Sequence, residues 1–156
     1  MSKSNQQSET YTQHGLQITY PANWTLEESV STEEIQIVIQ RPTSAFWVMT
    51  LYFERPGTED LIESAIEAYR GEYGQVDEQR SEKRVGEHVA TAVDLEFICL
   101  DLPTTVTLQA FATDRFTALI LARIRTRPES TASLVREICN SIQCEEDFFG
   151  FTALNP

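Results

Sequence analysis

Two hydrophobic periods alternate along this chain, and their order restricts the fold more than any other feature. Over most of the sequence apolar residues recur at every second position, the period of a half-buried strand. In two segments they recur at three- and four-residue spacing, the period of a helix lying on a core. Leu16, Ile18 and Tyr20 form one alternating set, Ile35, Ile37 and Ile39 another, and Val89, Thr91, Val93, Leu95, Phe97 and Cys99 a third. The run from Phe46 to Phe53 is apolar on both parities, as expected of a central strand covered on both faces. Leu61, Ile62, Ala65, Ile66 and Tyr69 make one helical stripe, and Ala132, Val135, Ile138, Cys139 and Ile142 make the other. The order is strands, helix, strands, helix. Without βαβ alternation it predicts an α+β domain, an antiparallel sheet of about six or more strands flanked by helices.

The residues between these segments place the turns. Pro21 fixes its own φ and holds Tyr20 extended, Asn23 suits a turn, and Trp24 carries a large ring into a partly polar strand with Leu26 and Val30. Thr58 is a good helix N-cap with Glu59 and Asp60 in the first turn, and Gly71 or Gly74 ends that helix. The charged run Asp77 to Arg84 reads as an edge strand or exposed loop. A hairpin centred on Asp101-Leu102-Pro103-Thr104 makes paired residue numbers sum to about 205. Phe97 then faces Leu108, Cys99 faces Val106, and Glu96 faces Gln109, so apolar meets apolar and polar meets polar. Phe116 to Ile124 is the next strand, and Thr126 with Glu129 fits a capping box that tolerates Pro128. Residues 1–13 lack an apolar period and are expected to form a disordered tail, 14–144 a single domain, and 145–156 an acidic, aromatic tail.

Charge narrows the partners. With 24 acidic against 12 basic side chains the formal net charge is −12, which repels nucleic-acid phosphates and anionic membranes. No apolar run approaches the ~20 residues of a membrane span, and the polar stretch Met1 to Thr10 is not a secretory signal. A cytoplasmic protein without a nucleic-acid or membrane partner is the expectation. Cys99, Cys139 and Cys144 are an odd count without CxxC or zinc spacing; Cys99 and Cys139 fall at apolar positions and are expected to be buried thiols.

Motifs for catalysis are absent: there is no GxSxG elbow, P-loop, GxGxxG or HExxH. His14 and His88 are the only histidines, and His88 and Cys99 have opposite strand parity, which rules out a dyad. No catalytic residue, metal ligand or cofactor is therefore assigned. Asp94 and Glu96 share a face with Thr105, Thr107 and Gln109, which is either a polar sheet surface or a place to bind a cation or do acid–base work. Asp94, Glu96 and Gln109 are thus the ligand face of an alternative reading, a small-molecule-binding or weakly catalytic protein. Arg123, Arg125 and Arg127 alternate onto one face, where they can clamp an acidic partner or pair with the protein's own carboxylates. Phe148, Phe149 and Phe151 either cap the core or take part in binding.

The stretch Gly15-Leu16-Gln17-Ile18-Thr19-Tyr20-Pro21-Ala22-Asn23-Trp24 resembles the opening of the PsbP/Mog-type family, glycine and alternating hydrophobics before Tyr-Pro-x-x-Trp. Val85-Gly86-Glu87-His88-Val89-Ala90 is similar to that family's glycine turn into a long central strand, and Ser130 to Ile142 stands where the family has its closing helix. The resemblance covers about residues 14–144 and implies a PsbP-like α/β/α sandwich. The family includes the extrinsic PsbP subunit of photosystem II, a Ran-GTPase-binding protein and Eag-type chaperones of secreted effectors, most of them binders rather than enzymes. It implies a non-catalytic protein-binding domain, adaptor or chaperone-like. Arg123, Arg125, Phe148, Phe149 and Phe151 are its candidate partner-binding residues.

Overall fold

Ten strands and two helices follow the expected order in the computed structural model, which describes residues 7–41, 45–124 and 129–144. The strands are β1 (Ser8–Gln13), β2 (Leu16–Pro21), β3 (Thr25–Val30), β4 (Glu34–Arg41), β5 (Ala45–Tyr52), β6 (Asp77–Val85), β7 (His88–Cys99), β8 (Leu102–Ala112), β9 (Thr117–Ile124) and β10 (Gln143–Cys144). The helices are α1 (Thr58–Tyr73), between β5 and β6, and α2 (Glu129–Asn140), between β9 and β10. A seven-stranded antiparallel sheet runs β3-β4-β5-β9-β8-β7-β6, and a small sheet runs β1-β2-β10. No helix among the described residues is long and apolar enough to cross a membrane.

Each face of the large sheet is covered over only part of its width. On one face α1 lies over β7, β8 and β9, and Ile62 and Ile66 are buried with Val93, Leu95, Val106 and Leu108. On the other, the small sheet and α2 cover β4, β5 and β9 and reach β6, β7 and β8 at Val85, Ala90 and Phe111; there Leu16, Ile18, Ile138 and Ile142 share a buried cluster with Ile37, Trp47, Met49 and Ile120. β5 therefore buries Trp47, Met49 and Leu51 on its inner face, while Phe46 and Val48, on the other parity, are half-buried and outside both clusters.

Four expectations change at the level of elements. Residues 8–13, assigned to a tail, form β1. A two-residue turn with positive φ at His14 and Gly15 folds them back on β2, and Tyr11 alone among them is buried, so no alternating set announces the strand. The N-cap of α1 is Gly57 rather than Thr58, with extended backbone and no side-chain bond; the helix runs through Gly71 to Gly74, whose φ of 80° and N–H to the Arg70 carbonyl close it. Val89 extends past the covered stripe of β7 and is exposed, and Cys99 is half-buried rather than buried. Finally, β7 and β8 pair with residue numbers summing to 201, not 205: Phe97 faces Thr104, Cys99 faces Leu102, Glu96 faces Thr105 and Val93 faces Leu108. An even slip keeps every side chain on its face, so parity could not reveal it. The turn is the pair Leu100-Asp101, both at positive φ, as in a type I′ hairpin. Pro103 belongs to β8 itself, at a position with no β9 partner, where a missing N–H is tolerated. The Thr126–Pro128 cap and the 145–156 segment lie outside the described residues.

Candidate functional site

The β7–β8 hairpin outruns its neighbours. β6 begins opposite Glu96 and the β9 pairing ends at Thr105, so the three pairs Phe97–Thr104, Ile98–Pro103 and Cys99–Leu102 have no further strand beside them among the described residues. They form an arm of roughly 10 Å. At its end Ile98, Leu100 and Leu102 are 60%, 83% and 43% exposed, three of the five exposed large hydrophobic side chains among the described residues. Leaving a leucine in water forgoes roughly 1.5–3 kcal/mol of burial energy. Leu100 also holds φ at 53°, a conformation that costs a branched side chain about 1–2 kcal/mol and that Asn or Gly adopts readily. Both costs fall on one residue.

α1 splints the arm from one side. Tyr73 stacks on Phe97 with ring centroids 4.4 Å apart, Tyr69 packs on the same ring at 5.4 Å, and the Cys99 thiol lies 3.9 Å from the Tyr73 hydroxyl. Burial pushes the Tyr69 hydroxyl pKa upward, so it stays neutral. The opposite side is open. There Ile98, Pro103 and Thr105 border a shallow depression of about 480 Å³ whose other wall is Gln75, Asp77 and Glu96. Asp77 and Glu96 stand directly opposite each other across the β6–β7 ladder.

The ligand face expected at Asp94, Glu96 and Gln109 is divided. Asp94 accepts a hydrogen bond from the Thr107 hydroxyl at 2.9 Å, and Glu96 is exposed at the depression. Gln109 is buried beneath α2, where its Oε1 accepts the Cys139 thiol proton at 3.4 Å. Cys139 Sγ in turn accepts the indole N–H of Trp47 at 3.4 Å. Burial pushes the Cys139 thiol up to about 11, and the contact with Trp47 only partly offsets it, so this chain of three is a core network with an inert thiol. Among the described residues no group of three or more His, Cys, Asp or Glu side chains is placed to hold a metal ion.

Arg123 is half-buried on the α1 side, with its guanidinium 5.9 Å above the Phe46 ring. It is on the opposite face from the depression, as the β9–β8–β7 register requires. Arg125, Phe148, Phe149 and Phe151 lie outside the described residues. His88 stacks on Phe111, on the face away from Cys99, as strand parity requires. Sequence reading missed Ile98, Leu100 and Leu102 as surface residues. The available signal was the Leu-Asp-Leu-Pro run, which keeps two large apolar side chains where a turn ordinarily carries Asn, Asp or Gly.

No protein-family model matches the chain, and no curated protein matches it. Solved structures do. The Ran-binding protein Mog1p of Saccharomyces cerevisiae aligns with a TM-score of 0.58 at 10% identity, over 90% of this chain and 96% of that one. The chain shares the fold of Mog1p. A structure from Bacteroides thetaiotaomicron aligns with a TM-score of 0.58 at 9% identity over 89% of this chain; the chain spans 48% of that protein's length. The T6SS immunity protein TplEi of Pseudomonas aeruginosa gives a TM-score of 0.52 at 7% identity, over 84% of this chain and 46% of its own. The likeness to Mog1p agrees with the Mog-type fold that the Gly15–Trp24 stretch implies.

Proposed function

We propose that this chain is a non-catalytic protein-binding domain, adaptor or chaperone-like, that takes its client at the end of the β7–β8 arm. One observation carries the reading: Ile98, Leu100 and Leu102 are held in solvent together on a splinted hairpin. Ile98 and Leu102 lie on opposite faces of the arm with Leu100 at its tip, and large apolar side chains left uncovered together at one projecting end mark an interaction site. The splint matters because an arm already ordered by Tyr69 and Tyr73 loses little freedom when a partner binds. The description of Mog1p as a Ran-binding protein and of TplEi as an immunity protein supports the same class of role.

Affinity capture from lysate with the wild-type chain and with Leu100→Asn tests the reading. The wild type is expected to retain one stoichiometric protein at low and at high salt, and the variant is expected to lose it. Equal recovery by the two chains, or no retained protein at either salt, contradicts it.

A further inference from the structure

We infer that the client segment seated in the depression beside the arm is basic and amphipathic: apolar side chains flanked by lysine or arginine. The inference rests on the protein-binding reading and adds the chemistry of the partner. The depression has one apolar wall, Ile98 and Pro103, and one anionic wall, Asp77 and Glu96; among the described residues no lysine or arginine lines it. Asp77 and Glu96 are a directly opposed like-charge pair, an arrangement that destabilises a ladder until a cation sits between them. Asp101 adds a further carboxylate in the turn beside Leu100. Thr105 and Gln75 supply polar groups to the client backbone between the two walls. The net charge of −12 raises the on-rate of a cationic partner and disfavours lipid headgroups and nucleic acid, which leaves a protein segment as the occupant. An apolar stripe alone would serve Leu100 and leave the carboxylate pair uncompensated. A cation alone would leave Ile98 and Leu100 in water. Only a segment carrying both satisfies both walls.

Three synthetic 14-residue amphipathic peptides with one shared leucine stripe, and lysine, glutamine or glutamate on the polar face, test this against the full ¹⁵N-labelled chain. The lysine peptide is expected to shift the amides of residues 75–79 and 96–105 and to bind at least about tenfold more tightly than the glutamine peptide. Asp77→Asn combined with Glu96→Gln is expected to remove that preference and flatten the salt dependence, and Leu100→Asn to weaken all binding at the arm. Equal affinity of the lysine and glutamine peptides at the arm overturns the basic partner and leaves the docking reading standing. Failure of all three peptides to move amides 96–105 overturns both.

Discussion

Leu100 and Gly86 show how differently positive backbone angles can be used. Gly86 holds φ at 60° in the β6–β7 turn, and a Cβ added there would lie 2.1 Å from the Ile142 carbonyl oxygen. The turn and the end of α2 fit together only because that position has no side chain. Gly86→Ala is expected to lower stability by about 1–2 kcal/mol from the backbone angle alone, with the clash adding to it; urea unfolding of the two chains measures the difference. Leu100 is the opposite case, a branched residue at φ 53° with its side chain open to solvent. Leu100→Asn is expected to raise the unfolding free energy by roughly 0.5–1 kcal/mol, part of the αL cost, and to leave the far-ultraviolet spectrum unchanged. A fall in stability would show that Leu100 is packed by the protein itself. The glycine at 86 was legible from the sequence as a turn, but its contact with Ile142 was not, because residues 56 positions apart meet only in the fold.

Among elements, strand identity was legible and strand partnership was not. Alternation at Ile35, Ile37 and Ile39 and the double-sided run from Phe46 fixed β4 and β5, and the charges of 77–84 marked β6 as an edge. The β7–β8 register differs by four from the expected one because an even shift keeps every side chain on its face, even where it sets Phe97 opposite Thr104; the two-residue turn decides between the two. β1 was missed because only Tyr11 of its six residues is buried, so no apolar alternation marks it; a side-chain contact adds to its ladder with β2. The Tyr11 hydroxyl donates to Glu28 on β3 at 2.6 Å, and His14 Nε2 is 3.1 Å from the same oxygen. The Tyr11 bond, and then that of His14, hold the Glu28 carboxyl below its ordinary range. A carboxyl lowered in the folded state stabilises above its unfolded pKa, and the contribution is lost as pH falls through the folded value. Tyr11→Phe is therefore expected to cost about 1 kcal/mol at pH 7, with the difference from wild type shrinking as Glu28 protonates in acid. Denaturant midpoints across pH 3–7 test it, and a constant difference would assign the loss to packing instead.

For the whole molecule, the incomplete covering of the seven-stranded sheet is what connects fold to function. α1 spans β7 to β9 on one face, while on the other α2 and the small sheet cover β4, β5 and β9 and reach β6, β7 and β8 at Val85, Ala90 and Phe111, so Asp94, Glu96, Thr105 and Thr107 remain partly or fully open beside the projecting arm. The sandwich and its order were readable from two periodicities. Where the covering stops was not, because it depends on how short helices cross a twisted sheet rather than on any single segment. Arg123, expected to pair with a carboxylate or to clamp a partner, stacks on Phe46 on the face away from the depression; of the proposed interface, Leu102 and Pro103 fell in the expected turn, and Glu96 stood among the candidate ligand residues. Hydrogen–deuterium exchange of the chain, alone and with its captured client, locates the interface. New protection confined to residues 75–79 and 96–105 is the expected result. Protection centred instead on β3–β5 or on α2, with the arm exchanging as in the free chain, would contradict it.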